Sequence, residues 1–182
     1  LYTNKFDLIL DQGREGACTG FGLAAVINYL LFLRDAPRLD DAKKLKSAER
    51  VSPWMIYQLA RRYDEWPGED YEGSSCRGAM KGWHRHGVCT EVLWPYRNKQ
   101  GKVVFISPAG GWEQDASGRP LGAYYRIDKR SISDMQSAIC EVGAIYCSAD
   151  VHKGWFMKKT ASLSIIKRDP TKVGGHAFAI VG

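Results

Sequence analysis

Gln12-Gly13-Arg14-Glu15-Gly16-Ala17-Cys18-Thr19-Gly20-Phe21-Gly22 runs from a glycine-punctuated loop into a long apolar segment and sets one cysteine at the junction. From Cys18 to Arg34 the chain carries Phe21, Leu23, Ala24, Val26, Ile27, Leu30, Leu31 and Leu33, apolar on nearly every face of a helix. Such a helix belongs in the middle of a domain. A thiol at its start meets backbone N–H groups without intrahelical partners and the positive end of the helix macrodipole, both of which favour thiolate. Cys18 is therefore a candidate nucleophile, the other reading being a buried free cysteine of a core helix.

Working outward, residues 35 to 50 are charged and read as an exposed connection. Ser52-Pro53 supplies an N-cap and a first-turn proline for a second helix with Met55, Ile56, Leu59 and Ala60 at helical spacing. A third helix is predicted from about Ser75 to His86, closed by Gly87, with Cys76, Ala79, Met80 and Trp83 on its inner stripe. Gly78 and Gly82 each weaken it by about 1 kcal/mol relative to alanine. Residues 97 to 126 are broken by Asn98, Gly101, Pro108, Gly110-Gly111 and Ser117-Gly118, and they read as a hairpin and surface loops. A fourth helix spans Ser131 to Val142, capped by Ser131 or Ser133, turning Met135, Ala138 and Ile139 inward and stopping at Gly143. Strands follow at Ala144 to Ala149, Leu163 to Lys167 and His176 to Val181. Helices first and strands later predict an α+β protein, with a helical lobe over about residues 12–96 and a β-rich lobe over about 97–182 of a single domain.

The 182 residues, 45% of them hydrophobic, suffice for an ordinary buried core. A net charge of +6 is scattered, without an arginine-rich or RNP-like segment, so nucleic acid is not an expected partner. No stretch reaches the roughly 18 consecutive apolar residues of a membrane span, and no membrane partner is expected. The chain starts at Leu1 and stops at Gly182 within an apolar run, and both ends read as cut edges, with truncation at the C-terminus. Five cysteines are an odd number and too sparse for a disulfide scaffold. The spacing of Cys76, His84, His86 and Cys89 matches no zinc finger, and neither a metal nor another cofactor is expected.

A thiolate nucleophile needs a base, usually imidazole, within hydrogen-bond reach. His84 and His86 diverge on a helix and His152 follows a strand among polar residues, whereas His176 stands at the start of a strand after Gly174-Gly175, which let the backbone pass close to other groups. A satisfied core histidine is the other reading of His176.

The cysteine segment, Gln-Gly-x-x-Gly-Ala-Cys-x-x-Phe, resembles the active-site segment of the papain-like (C1) cysteine peptidases. Gly174-Gly175-His176-Ala177-Phe178-Ala179-Ile180-Val181-Gly182 resembles that family's histidine strand. Val51-Ser52-Pro53 to Tyr57 is similar to its second helix, Gly87 to Tyr96 to the loop that follows, and Ile132 to Ile145 to the helix leading into the first barrel strand. The separation of Cys18 from His176 exceeds the usual ~130–150 residues, and the insertion at 97 to 126 accounts for the excess. The resemblance implies a two-lobe fold, a helical lobe against an antiparallel β-barrel-like lobe with the cleft between.

It further implies a cysteine-type endopeptidase in which Cys18 is the nucleophile, His176 its imidazolium partner and Gln12 an oxyanion-hole donor beside the backbone N–H of Cys18, a loop amide bonded to its own backbone being the other reading of Gln12. Gly73, Ser74 and Gly175 fall where extended substrate would bind, a helix-capping turn being the other reading of the Gly73-Ser74 segment. The implied partners are a polypeptide substrate and a pro-segment or protein inhibitor. Glu15 stands where secreted members have a disulfide cysteine, marking a bacterial-type member without that bridge and favouring cytoplasm over secretion. Thr19 replaces the tryptophan that usually follows the nucleophile, and the family's histidine-orienting asparagine belongs after the histidine strand. These departures leave two alternatives in place, a catalytically silent peptide-binding or structural module and a Cys–His amidase or transpeptidase.

Overall fold

The computed structural model describes residues 8–35, 49–66, 71–156 and 165–181. Among them run α1 (Cys18–Asp35), α2 (Pro53–Arg62), α3 (Cys76–His86), α4 (Trp112–Ser117), α5 (Ile132–Val142), β1 (Ala144–His152), a short 3-10 turn (Lys153–Trp155) and β2 (Lys172–Val181).

α1 is the central element. Phe21, Leu23, Ala24, Val26, Ile27, Tyr29 and Phe32 are buried, as an all-round apolar helix requires. Its one buried amide, Asn28, accepts a hydrogen bond from the Val51 N–H at 2.9 Å, which ties α1 to the entry of α2. Ser52 caps α2 by accepting from the Met55 N–H at 3.1 Å and donates its own hydroxyl to the Trp94 carbonyl at 2.6 Å. Ser75 and Ser131 cap α3 and α5 in the same way, through Gly78 N–H and Asp134 N–H. The core lies among α1, α2, α3 and the segment from Val88 to Tyr96, where Phe21 meets the rings of Trp54 and Tyr96 edge-on at 6.0 and 5.2 Å.

Glycines within the helices mark where backbones touch. A Cβ at Gly78 would stand 2.5 Å from the Ala60 carbonyl oxygen and one at Gly82 2.6 Å from Leu59 Cβ, so the residues that weaken α3 are those that let it lie against α2. Gly20 does the same for α1, with Pro53 O at 2.4 Å and the Tyr57 backbone N at 2.8 Å. Gly20→Ala must push α1 off α2. Despite a helix-propensity gain of about 1 kcal/mol, overpacking of about 1–3 kcal/mol prevails. Thermal unfolding of this variant is expected to show a Tm lower by several degrees, and an unchanged or raised Tm would contradict the packing.

β1 and β2 pair antiparallel from Ala144↔Val181 to Val151↔Gly174, with an irregularity between Val151 and His152. Among the described residues this sheet has two strands and is open. It lies against α1 on one side, while α5 leans on β1, with Met135, Ala138 and Ile139 half-buried. Residues 165–167 carry no strand, and 163–164 lie outside the described residues. The insertion at 97 to 126 holds a bridge at Arg97↔Val103 and also α4, a helix its glycine punctuation does not predict. α4 is secured by tertiary contacts. Ala116 is fully buried, Trp112 packs on Trp94 at 5.1 Å, and Asp115 accepts from the Thr90 N–H at 2.7 Å and from Arg119 at 2.8 Å.

Candidate active site

Cys18 is the first residue of α1 and is half-buried. The loop before it is a compact turn in which Asp11 accepts from the Gly13 N–H at 2.9 Å, with Gly13 at φ 65°. Gln12 donates its side-chain N–H to the Glu15 carbonyl at 2.8 Å, so its amide is bonded to its own loop. An NH2 group carries two donors, and this bond uses one of them while fixing the plane of the other. Glu15 is exposed.

Thr19 is buried, and its hydroxyl lies 2.6 Å from that of Ser74. The residue after Cys18 thus holds the start of α1 to the segment leading into α3. The Tyr57 hydroxyl anchors the same segment by donating to the Glu72 carbonyl, and a Cβ at Gly16 would stand 2.9 Å from Glu72 Cβ. Gly73 and Ser74 therefore lie beside the nucleophile loop.

His176 lies on β2 opposite Ala149 and is half-buried. Burial pushes its imidazole below the ordinary histidine range, which favours the neutral ring over imidazolium. Phe178 stacks on it at 6.1 Å and Trp155 meets it edge-on at 6.5 Å. Gly175 is exposed, and nothing among the described residues comes within 4 Å of a Cβ at Gly174 or Gly175. The expected close approach is absent there, and the glycine requirement at Gly174 is conformational, with φ at 151°.

What relates Cys18 to His176 is the packing of α1 on β2. Gly22 is one turn along α1 from Cys18 and on the same helix face, and a Cβ there would stand 2.9 Å from the carbonyl oxygen of Ala177, the neighbour of His176. Cys18 is accordingly on the β2-facing side of α1.

Tyr146 on β1 contributes a contact that the sequence pattern did not single out. Its hydroxyl donates to the Thr19 carbonyl at 2.8 Å. Burial, and then the neighbouring Cys76, push its phenol well above the ordinary tyrosine range. Burial likewise raises the Cys76 thiol, against hydrogen bonds with Tyr146 and Ser148.

The described residues contain no group of three or more His, Cys, Asp or Glu side chains able to hold a metal. His86 is engaged with the Tyr63 hydroxyl at 2.6 Å, His84 meets the ring of Tyr124, and the buried Cys89 thiol is pushed up to about 12, chiefly by burial. All five cysteines are free, and Cys140 is exposed rather than in the core.

No protein-family model matches this sequence, and no curated protein matches it either. Among solved structures, xylellain, a cysteine protease from Xylella fastidiosa, aligns over 95% of this chain at 22% identity with a TM-score of 0.68. Digestive procathepsin L 3 of the Tenebrio molitor larval midgut aligns over 94% at 17% identity with a TM-score of 0.59. The chain spans 65% of the length of the first and 50% of the second. With its central helix, its helical core and the antiparallel strands laid on that helix, this chain has the papain-like cysteine protease fold.

Proposed function

We propose that the chain is a cysteine-type peptidase that hydrolyses peptide bonds with Cys18 as nucleophile and His176 as its proton partner. The observation that carries this reading is the contact of Gly22 with Ala177, which turns the helix face bearing Cys18 toward the strand bearing His176. The neutral imidazole accepts the Cys18 proton as sulfur attacks the substrate carbonyl carbon. The resulting oxyanion is received by the Cys18 backbone N–H, unpartnered at a helix start, and by the second N–H of Gln12. His176 then returns its proton to the leaving amine, the C–N bond breaks, and a thioester remains on Cys18. Water, deprotonated by His176, attacks the thioester and releases the acid and the free thiol.

Gly73 and Ser74 on one side and Gly175 on the other are the positions at which extended substrate backbone would pair. Trp155 and Phe178 confine the imidazole ring and keep it partly out of water. A pro-segment or protein inhibitor that occupies the cleft is the regulatory partner this reading implies.

Incubation with an unfolded protein tests the reading. Shorter peptides with new α-amino termini are the expected products, and substrate that stays intact contradicts it.

A further inference from the structure

We infer that Tyr146 is a positioning residue for Cys18, its hydroxyl clasping the first turn of α1 to the strand pair that carries His176. The inference rests on the peptidase reading and adds to it a side chain outside the nucleophile, base and oxyanion donor.

Three observations support it. The Tyr146 hydroxyl donates at 2.8 Å to the carbonyl of Thr19, the residue directly after Cys18, across 127 residues of sequence. Tyr146 pairs with Ala179 on the ladder that presents His176 three residues earlier on β2, roughly 10 Å at the usual rise per residue. Thr19 is also the residue whose side chain reaches Ser74 at 2.6 Å. The residue that follows the nucleophile is thus held from two directions, by β1 through its carbonyl and by the segment before α3 through its hydroxyl.

The Gly22–Ala177 contact sets how closely helix and strand approach, but backbone packed on backbone does little to stop sliding or rotation. A directional hydrogen bond at the helix start does. The carbonyl has two lone pairs, so it can accept this bond as well as its intrahelical one. With the phenol pushed well above its ordinary range, it remains a donor throughout the neutral region. Reaction geometry tolerates little error, since a displacement of about 1 Å can cost on the order of 100-fold.

Tyr146→Phe removes the one hydroxyl and keeps the ring that fills the space. The expected result is a kcat lower by about tenfold per folded molecule with KM within twofold of wild type, and alkylation of Cys18 by iodoacetamide slowed by a similar factor. A merely structural role would lower Tm and leave both rates, measured well below Tm, unchanged, and that result would overturn the inference. If the wild-type chain cleaves no peptide, the peptidase reading fails separately. The Cys18 alkylation rate then decides on Tyr146 alone, an unchanged rate overturning the clasp and a slowed one supporting it.

Discussion

His176→Ala is expected to lower kcat/KM on a peptide substrate by about 1000-fold or more. Burial lowers the pKa of the half-buried imidazole, and on the proposed reading it is the base that takes the proton from Cys18. Without it, attack by sulfur must proceed with no base, and the leaving amine must depart without a proton donor. Cys18→Ala should lose as much, and the double variant little more than either single one, because residues acting as a unit are strongly non-additive. Stability should change modestly, since among the described residues the ring of His176 makes edge and stacking contacts with Trp155 and Phe178. Steady-state kinetics on folded protein, verified by thermal unfolding, check the prediction, and a loss of less than tenfold would contradict it.

Gln12→Ala is expected to lower kcat by roughly 100- to 1000-fold, the usual cost of one oxyanion donor, with KM little changed. The amide is preorganised because one N–H is spent on the Glu15 carbonyl. That bond also closes the turn, so loosening of the loop is a competing source of any loss. Two other contacts survive the substitution, the Asp11 carboxylate on the Gly13 N–H and the backbone bond from Glu15 to the Gln12 carbonyl. Gln12→Glu separates the two effects, since it keeps the side-chain shape and puts an acceptor where the donor stood. Kinetics of both variants provide the measurement. A loss below about threefold in kcat for either would remove Gln12 from the oxyanion hole.

Much of this architecture was legible because its signals are local. Ser52, Ser75 and Ser131 announce helix starts by side-chain capping, and Gly87 and Gly143 announce stops, each within a few residues of the element it bounds. α4 was illegible for the same reason. Six residues between Gly110-Gly111 and Ser117-Gly118 carry too little periodicity, and what holds them is the distant pairing with Thr90 and Trp94. β2 begins at Lys172, ahead of the expected His176, because the glycine pair that reads as a break continues the ladder opposite Val151 and Asp150.

In the site, Cys18, Gln12 and His176 stood out through residue type and immediate context. The close-packing role of Gly20 and Gly22 could not be read until their partners, Pro53 and Ala177, were in place. Tyr146 and Trp155 had no local signal, since a tyrosine on an alternating strand and a tryptophan after it look like ordinary packing. Their meaning comes from Thr19 and His176, which only the fold brings to them.

The most direct test of the Cys18 nucleophile is a race between thiols for a limiting amount of iodoacetamide, followed by peptide mapping and an assay of residual hydrolysis. Cys140 is exposed and Cys18 only half so, which makes Cys140 the faster site if access alone decides. The expected result is that half-buried Cys18 takes the label first and hydrolysis falls in proportion to its modification. Labelling of Cys140 ahead of Cys18, or hydrolysis that persists on protein fully modified at Cys18, would contradict it.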